Sequence, residues 1–304
     1  MLNLAEFVGL CPGLVKQLPA VAYFHENQLT YPNRFESERD YQFVMTNLTT
    51  ALTAKSVWFN SAFHRDSFLD ALRAFLKKMP DFQPTEAIEH IRDKSIISPP
   101  GVKKISAPKG PRKPGPMRII WAARWEHDKN PDEFFDALEI LKVKGIDFRL
   151  SVVGESFRDC PEVFSRARNY FKDNINLWGY QQRRGQYLDA LKKADIFVST
   201  ANHEFFGISA VEATLAGAYP VLPRRLAYPD IMKLETFPEN KEFFYNGAAE
   251  GLAKKLTKLA EKIQNNCLWT KNQKRLSEIM SEFIWGNAIK LCDLKLAKIA
   301  DNNT

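Results

Sequence analysis

Apolar and polar positions alternate regularly along the larger, carboxyl-terminal part of the chain. The apolar runs, which predict strands, cover residues 117–123, 148–153, 175–178 and 195–199. The amphipathic segments between them, which predict helices, cover residues 130–144, 162–171 and 185–193. This alternation predicts a parallel sheet with helices on both faces. Sheets of this kind bind their ligands beyond the carboxyl ends of the strands.

The amino-terminal part of the chain has a sparser pattern. Three apolar runs, residues 21–25, 56–59 and 94–97, predict strands of a smaller α/β lobe. A nucleotide-binding lobe normally has more strands and opens with a strand–loop–helix unit. We therefore expect the lobe in residues 1–100 to be incomplete and to leave one strand edge unpaired.

A segment rich in proline and glycine separates the two parts. Residues 98–116 contain six prolines and three glycines without apolar periodicity, which predicts a linker over residues 101–116. The second lobe is then expected over residues 117–285 and a last helix over residues 286–304. Helical periodicity extends over residues 248–300, from the end of the second lobe into the last helix. The basic side chains of the linker are Lys103, Lys104, Lys109, Arg112 and Lys113. They predict either a solvated linker or a strap that contacts RNA.

Composition narrows the class of protein. Of 304 residues, 45% are hydrophobic and 12% aromatic, which allows a sizeable core. No apolar run approaches the roughly 18 residues of a membrane-spanning helix. The four cysteines are scattered and form no CxxC pair, as expected for reduced thiols in the cytoplasm. The net charge of +7 is compatible with a polyanionic partner.

Two glutamates and a helix N-terminus form the main candidate site. Glu204 and Glu212 stand eight positions apart, the first in a loop and the second in a helix predicted over residues 209–216. Phe206 and Gly207 belong to the loop, beside backbone N–H groups that can bind a diphosphate. Carboxylates repel a diphosphate, so the ligand must also carry groups that the two glutamates attract. A sugar nucleotide carries such groups, because its hydroxyls donate hydrogen bonds to the carboxylates.

Cations and a histidine follow two other predicted strands. Arg124 and Lys129 stand five positions apart in the loop after the strand at 117–123. A guanidinium fork and an ammonium group there can hold a diphosphate that gains charge as it leaves. His25 follows the strand at 21–25 and precedes further polar residues, so it is a candidate for contact with the sugar.

The two motifs together resemble those of a known family. The string Glu-Phe-Phe-Gly-Ile-x-Ala-Val-Glu-Ala, from Glu204 onward, resembles the E-x7-E element of retaining family 4 glycosyltransferases, and Arg124 with Lys129 resembles their R-x4-K element. The resemblance implies a GT-B fold, an α/β architecture of two Rossmann-like lobes with parallel sheets. The last helix of such proteins crosses back to the first lobe.

The same resemblance implies a role for each residue. Glu204 would accept hydrogen bonds from hexose hydroxyls and Glu212 from ribose hydroxyls. Arg124 and Lys129 would hold the diphosphate, with help from backbone amides near Phe206 and Gly207. His25 would contact the hexose as a catalytic residue alongside Glu204. No metal or other cofactor is expected, because the cations and the helix end would replace a divalent ion.

A longer set of motifs resembles one subgroup. These are Tyr-Phe-His-Glu-Asn-Gln-Leu-Thr-Tyr-Pro, Phe-Asn-Ser, Arg-Trp-Glu-His-Asp-Lys and Tyr-Pro-Asp-Ile. They resemble the tRNA-queuosine alpha-mannosyltransferases, which implies GDP-mannose as donor and the queuosine of tRNA(Asp) as acceptor. The resemblance implies a cytoplasmic enzyme with a nucleotide sugar and tRNA as partners, and neither membrane nor DNA. Two alternatives stay open: a transferase of this fold acting on a lipid, polysaccharide or small molecule, and an inert nucleotide-sugar- or RNA-binding protein.

Overall fold

The structure, a computed structural model, describes residues 2–11, 13, 17–32, 40–108, 110, 112–157, 160–269 and 273–301. The chain forms two compact units. Unit 1 consists of Met1–Gly101 together with Gly286–Thr304, and unit 2 consists of Val102–Trp285. The carboxyl-terminal segment therefore belongs to the same unit as the amino-terminal residues.

The strands and helices follow one another as the alternating pattern predicts. The strands are β1 Val21–Phe24, β2 Ser56–Phe59, β3 Ser95–Ile97, β4 Met117–Ala122, β5 Phe148–Val153, β6 Ile175–Gly179, β7 Ile196–Val198, β8 Tyr219–Pro223 and β9 Phe244–Tyr245. The α-helices of the described residues are α1 Leu4–Leu10, α2 Tyr41–Thr53, α3 Ala62–Leu76, α4 Glu86–Asp93, α5 Pro131–Val143, α6 Val163–Tyr170, α7 Arg184–Lys193, α8 Ile208–Leu215, α9 Tyr228–Ile231, α10 Ala249–Gln264, α11 Gln273–Ser281 and α12 Trp285–Asp301.

Unit 1 contains a small parallel sheet. In the described residues it has three strands in the order β1-β2-β3. All four residues of the central strand β2 are buried, which is why this strand is apolar on both faces. Within the described part of the chain, β1 pairs only with β2, so its other edge has no strand beside it.

Helix α12 lies on unit 1 and is held there by a lysine. The Lys295 Nζ donates a hydrogen bond to the Ile97 carbonyl oxygen at the end of β3, at 2.7 Å. The same ammonium group lies 5.9 Å from the ring centroid of Trp58 in β2. These contacts place the helix against the carboxyl half of the small sheet.

Unit 2 contains a six-stranded parallel sheet in the order β6-β5-β4-β7-β8-β9. Numbered within the unit, this order is 3-2-1-4-5-6, that of a doubly wound nucleotide-binding fold. The strand order reverses between β4 and β7, so the chain leaves these two neighbouring strands toward opposite faces of the sheet. Such a reversal opens a crevice at the carboxyl edge of the sheet.

Residues 102–116 of the predicted linker belong to unit 2, and Gly101 belongs to unit 1. Val102 and Ile105 are buried in the core of this unit, and Val102 forms a β-bridge with Ile284. The Arg112 guanidinium binds both carboxylate oxygens of Asp195 at 2.8 Å. An apolar contact and a buried ion pair therefore fix much of the segment that composition alone assigned to a linker. Lys109 lies outside the described residues.

No helix in the described part of the chain combines the length and apolar character that crossing a membrane requires.

Candidate functional site

The loops after β4 and β7 meet at the reversal point of the sheet. Arg124 and Lys129 follow the end of β4, and Glu204 follows the end of β7. The backbone N–H groups of Asn202 and His203 donate to the Asp128 carbonyl oxygen at 2.8 and 3.2 Å. The structure therefore brings the Arg124–Lys129 loop and the Glu204 loop together, as their positions after parallel strands predict.

Lys129 is the buried cation at the centre of this junction. Only 8% of the residue is exposed. Its Nζ donates to the His203 carbonyl oxygen at 2.7 Å and pairs with the Asp128 Oδ2 at 3.0 Å. It also lies 3.7 Å from the Glu204 Oε2. Lys129 thus joins both loops and holds its charge beside the first glutamate of the pair.

Asp128 and His203 support the same junction, and the sequence analysis did not assign Asp128 to the site. The His203 Nδ1 lies 3.8 Å from the Asp128 Oδ2, and both side chains are largely buried. Burial, reinforced by the positive charge of Lys129, lowers the pKa of His203 to about 4. The imidazole is therefore neutral near pH 7, which leaves Lys129 as the buried positive charge of the junction.

Arg124 is more accessible than Lys129. Its side chain is about half exposed and pairs with the Glu126 Oε2 at 3.1 Å. Burial raises the pKa of Glu126, and the positive charge of Arg124 opposes this shift. A guanidinium that is only partly desolvated can exchange a carboxylate partner for a phosphate oxygen.

Glu204 folds back onto the start of helix α8. Its Oε1 accepts hydrogen bonds from the backbone N–H groups of Phe206, at 3.4 Å, and Gly207, at 3.0 Å. The amides assigned to a diphosphate in the sequence analysis are thus bound to a carboxylate of the chain itself. The next two amides, those of Ile208 and Ser209 in the first turn of α8, have no intrahelical acceptor.

Gly207 makes this turn possible. Its φ of +94° lies in the left-handed region, where a side chain causes strain. A Cβ added at this position would lie 3.0 Å from the Tyr228 Cε1. Tyr228 is buried, and its hydroxyl lies 2.6 Å from the Ser199 Oγ, so the ring has little freedom to retreat.

Glu212 lies on α8 and is almost fully buried. Arg184 forms an ion pair with its Oε1, and the Tyr187 hydroxyl donates to its Oε2 at 3.0 Å. Sequence reasoning missed Arg184 and Tyr187, although their spacing of three places both on one face of α7.

His25 belongs to unit 1, so the structure does not group it with the residues of unit 2. Its carbonyl oxygen accepts a hydrogen bond from the Asn60 Nδ2 at 3.0 Å. The Asn60 Oδ1 in turn lies 2.7 Å from the Nδ1 of His64, which is fully buried. The Tyr23 ring lies 4.5 Å from the His25 imidazole, centroid to centroid. The carboxyl ends of β1 and β2 are therefore joined by polar side chains.

In the residues that the structure describes, no group of three or more His, Cys, Asp or Glu side chains is arranged to hold a metal ion.

Comparison with known proteins identifies the family. A family model described as tRNA-queuosine alpha-mannosyltransferase N-terminal matches residues 1–102, and a model of glycosyl transferases group 1 matches residues 102–280. The tRNA-queuosine alpha-mannosyltransferase of Drosophila melanogaster is 37% identical over 266 residues, 84% of this chain and 68% of the fly protein. This chain belongs to the tRNA-queuosine alpha-mannosyltransferase family. The predicted family and the predicted enzyme class, a glycosyltransferase, are confirmed.

A more distant relative matches a shorter part of the chain. The GDP-mannose:cellobiosyl-diphosphopolyprenol alpha-mannosyltransferase of Xanthomonas campestris is 30% identical over 119 residues, 38% of this chain and 30% of that protein.

Solved structures show the same fold. Sucrose-phosphate synthase from Thermosynechococcus elongatus aligns with a TM-score of 0.67 and 16% identity, over 92% of this chain and 68% of that one. The Anabaena protein HepE in complex with UDP aligns with a TM-score of 0.67 and 15% identity, over 93% of this chain and 73% of that one. The predicted α/β class with parallel sheets, of GT-B type, is confirmed.

Proposed function

We propose that this chain transfers mannose from GDP-mannose to the queuosine of tRNA(Asp), with retention of anomeric configuration. One observation carries the proposal. Arg124, Lys129 and Glu204 converge at the reversal point between β4 and β7, where doubly wound sheets bind nucleotides. Membership of the tRNA-queuosine alpha-mannosyltransferase family supports the choice of acceptor. GDP as the nucleotide is supported by the name of the Xanthomonas relative.

The charges at the junction suit the transfer of a sugar from a diphosphate. As the sugar–phosphate bond breaks, negative charge accumulates on the leaving diphosphate, and Arg124 stabilises it by exchanging Glu126 for a phosphate oxygen. Lys129 adds a buried positive charge beside Glu204. The Glu204 carboxylate accepts hydrogen bonds from hexose hydroxyls, which orients the anomeric carbon.

The helix end completes the binding of the donor. The N–H groups of Ile208 and Ser209, with the positive end of the α8 dipole, face the diphosphate. The amides of Phe206 and Gly207 join them if Glu204 turns from these amides to the hexose. Glu212 accepts hydrogen bonds from the ribose hydroxyls.

The acceptor oxygen attacks from the face that the diphosphate leaves, and a phosphate oxygen takes its proton. The two cations and the helix end supply the charge stabilisation, so we propose no metal cofactor. For His25 of unit 1, the family resemblance supports contact with the hexose.

We further propose a cytoplasmic location, where tRNA is available, and no membrane or DNA partner. The four cysteines are all free thiols, which agrees with a cytoplasmic location.

A transfer assay tests the function directly. The chain is incubated with GDP-mannose and with tRNA(Asp) that contains queuosine, and the nucleosides are then analysed by mass spectrometry. We expect queuosine to gain the mass of one hexose. The matched control is tRNA(Asp) with guanosine at the same position, which should gain none. Transfer to a polyprenyl diphosphate but not to tRNA would instead support the lipid-acceptor alternative.

Two substitutions test the assigned roles within this assay. Arg124→Ala is expected to lower turnover by about 10²- to 10³-fold, because it removes a group that stabilises developing charge. Glu212→Ala is expected to weaken GDP binding. Wild-type turnover by the first variant would refute the diphosphate role of Arg124, and unchanged affinity in the second would refute the ribose role of Glu212.

A further inference from the structure

Two donors on one face of α7 hold the carboxylate of Glu212. Arg184 and Tyr187 are separated by three positions, so both side chains point to the same side of the helix. Arg184 binds the Oε1 and Tyr187 binds the Oε2, so each oxygen has its own donor. The Arg184 guanidinium also lies 4.7 Å from the centroid of the Tyr187 ring. The carboxylate is therefore held against rotation at both oxygens.

Glu212 is the strongest hydrogen-bond acceptor of the three side chains. The guanidinium has donors only. Burial, reinforced by the charge of Glu212, raises the pKa of the Tyr187 hydroxyl, so the hydroxyl keeps its proton. A neutral phenol oxygen is a weaker acceptor than a carboxylate, so hydroxyl groups of a ligand that reach this cluster donate preferentially to Glu212.

The acceptor capacity of the carboxylate matches the number of hydroxyls on a ribose. A carboxylate has about four lone-pair sites, and two donors leave about two of them, one on each oxygen. A ribose presents a pair of neighbouring hydroxyls, one for each remaining site. We propose that Arg184 and Tyr187 are positioning residues that orient Glu212 so that one site on each oxygen accepts a ribose hydroxyl. The inference rests on the proposed function, in which Glu212 binds the ribose.

An ion pair with a purely structural role is the competing explanation. About half of the Arg184 side chain is exposed, whereas Glu212 is buried. Loss of Arg184 leaves the buried carboxylate without its charged partner, so both explanations expect some loss of stability. A purely structural pair predicts that preference for a ligand with both ribose hydroxyls is unchanged, whereas a positioning role predicts that this preference falls. The two explanations then differ in a measurable way.

The test compares GDP with 2′-deoxy-GDP as probes, by calorimetric titration of the full chain. The 2′-deoxy compound lacks one of the two hydroxyls. We expect wild type to bind GDP about 10- to 100-fold more tightly, because one hydrogen bond to a charged acceptor is lost. In Arg184→Ala and Tyr187→Phe the ratio should fall to about threefold or less, and Arg184→Lys should restore part of it.

Arg183→Ala is the matched control. It removes the same charge from the neighbouring, exposed position, and Arg183 has no contact with Glu212 among the described contacts. This variant should keep the wild-type ratio. Thermal denaturation of each variant checks that it is folded. A ratio that changes equally in Arg183→Ala would mean that net charge, and not positioning, governs the effect.

The outcomes separate the inference from the function beneath it. If wild type discriminates between the probes and Arg184→Ala does so equally well, the positioning role is refuted and the transferase proposal stands. Tighter GDP binding by Arg184→Ala would show that the guanidinium blocks the ribose, which also refutes it. Equal affinity of wild type for GDP and 2′-deoxy-GDP would refute the assignment of Glu212 to the ribose hydroxyls. No binding of GDP to wild type would overturn the proposed donor together with the inference.

Discussion

Replacing Gly207 with alanine should destabilise unit 2 and impair catalysis. The φ of +94° costs an alanine about 1–2 kcal/mol. The new Cβ would also lie 3.0 Å from the Tyr228 Cε1, and overpacking of this kind costs about 1–3 kcal/mol. Since the Tyr228 hydroxyl is held by Ser199, the ring cannot easily move away. We therefore expect the free energy of unfolding to fall by about 2–5 kcal/mol.

Gly179→Ala separates the two contributions. Gly179 has a φ of +100°, and a Cβ there would have no heavy atom within 4 Å. This control carries the backbone strain without the contact, so its free energy of unfolding should fall by about 1–2 kcal/mol. Urea denaturation of both variants measures the difference, which isolates the contact with Tyr228.

The same substitution should reduce transfer. The Gly207 amide donates to Glu204, so a shift of the turn moves the carboxylate that we assign to the hexose. We expect a loss of turnover of about tenfold or more, because displacements of about 1 Å at a reacting centre are costly. Equal destabilisation by Gly207→Ala and Gly179→Ala, or wild-type turnover in a folded Gly207→Ala, would refute this account.

Three further substitutions test other parts of unit 2. Lys129→Met should lower turnover by about 10²-fold or more in the transfer assay, because it removes the buried charge between the two loops. His203→Asn should flatten the dependence of stability on pH. The folded pKa of His203, about 4, lies below its unfolded value of 6.5, so wild type loses stability as pH falls from 6.5 to 4, by at most about 3 kcal/mol. Asp195→Asn should lower the free energy of unfolding by about 3–5 kcal/mol in urea denaturation, because it leaves Arg112 and Arg118 facing a neutral partner.

Each of these predictions has a result that would contradict it. Lys129→Met with wild-type turnover would show that the ammonium group takes no part in charge stabilisation. A His203→Asn variant with the same pH profile as wild type between pH 4 and 6.5 would assign the titration to another group. Burial opposes ionisation of Asp195, but hydrogen bonds from Arg118 and Arg112 outweigh it and lower its pKa. Asp195 precedes β7, at the edge of the sheet opposite Glu204, so weakened GDP binding in a folded Asp195→Asn would contradict its purely structural role.

Part of this protein could be predicted from the sequence because the signal is local. Strand β5 coincides with the predicted residues 148–153, and β4 ends one residue before its predicted end. Strands buried on both faces of a parallel sheet are apolar runs, which a single sequence displays directly. The placement of the Arg124–Lys129 loop beside the Glu204 loop also followed, because parallel strands bring their carboxyl ends to one edge.

Tertiary packing decided the rest. Glu212 and Arg184 are 28 positions apart, so their ion pair depends on how α7 packs against α8. The carbonyl oxygen of Asp128 holds the Glu204 loop, and any residue type would provide that group. Val102 and Ile105 lie in a segment whose composition predicts a linker, and only contact with the core of unit 2 makes them buried. The sequence by itself determined which residues form strands and which loops carry charge, because these depend on neighbours along the chain. The partner of each charged side chain depends on distances between elements, and only the folded structure contains those.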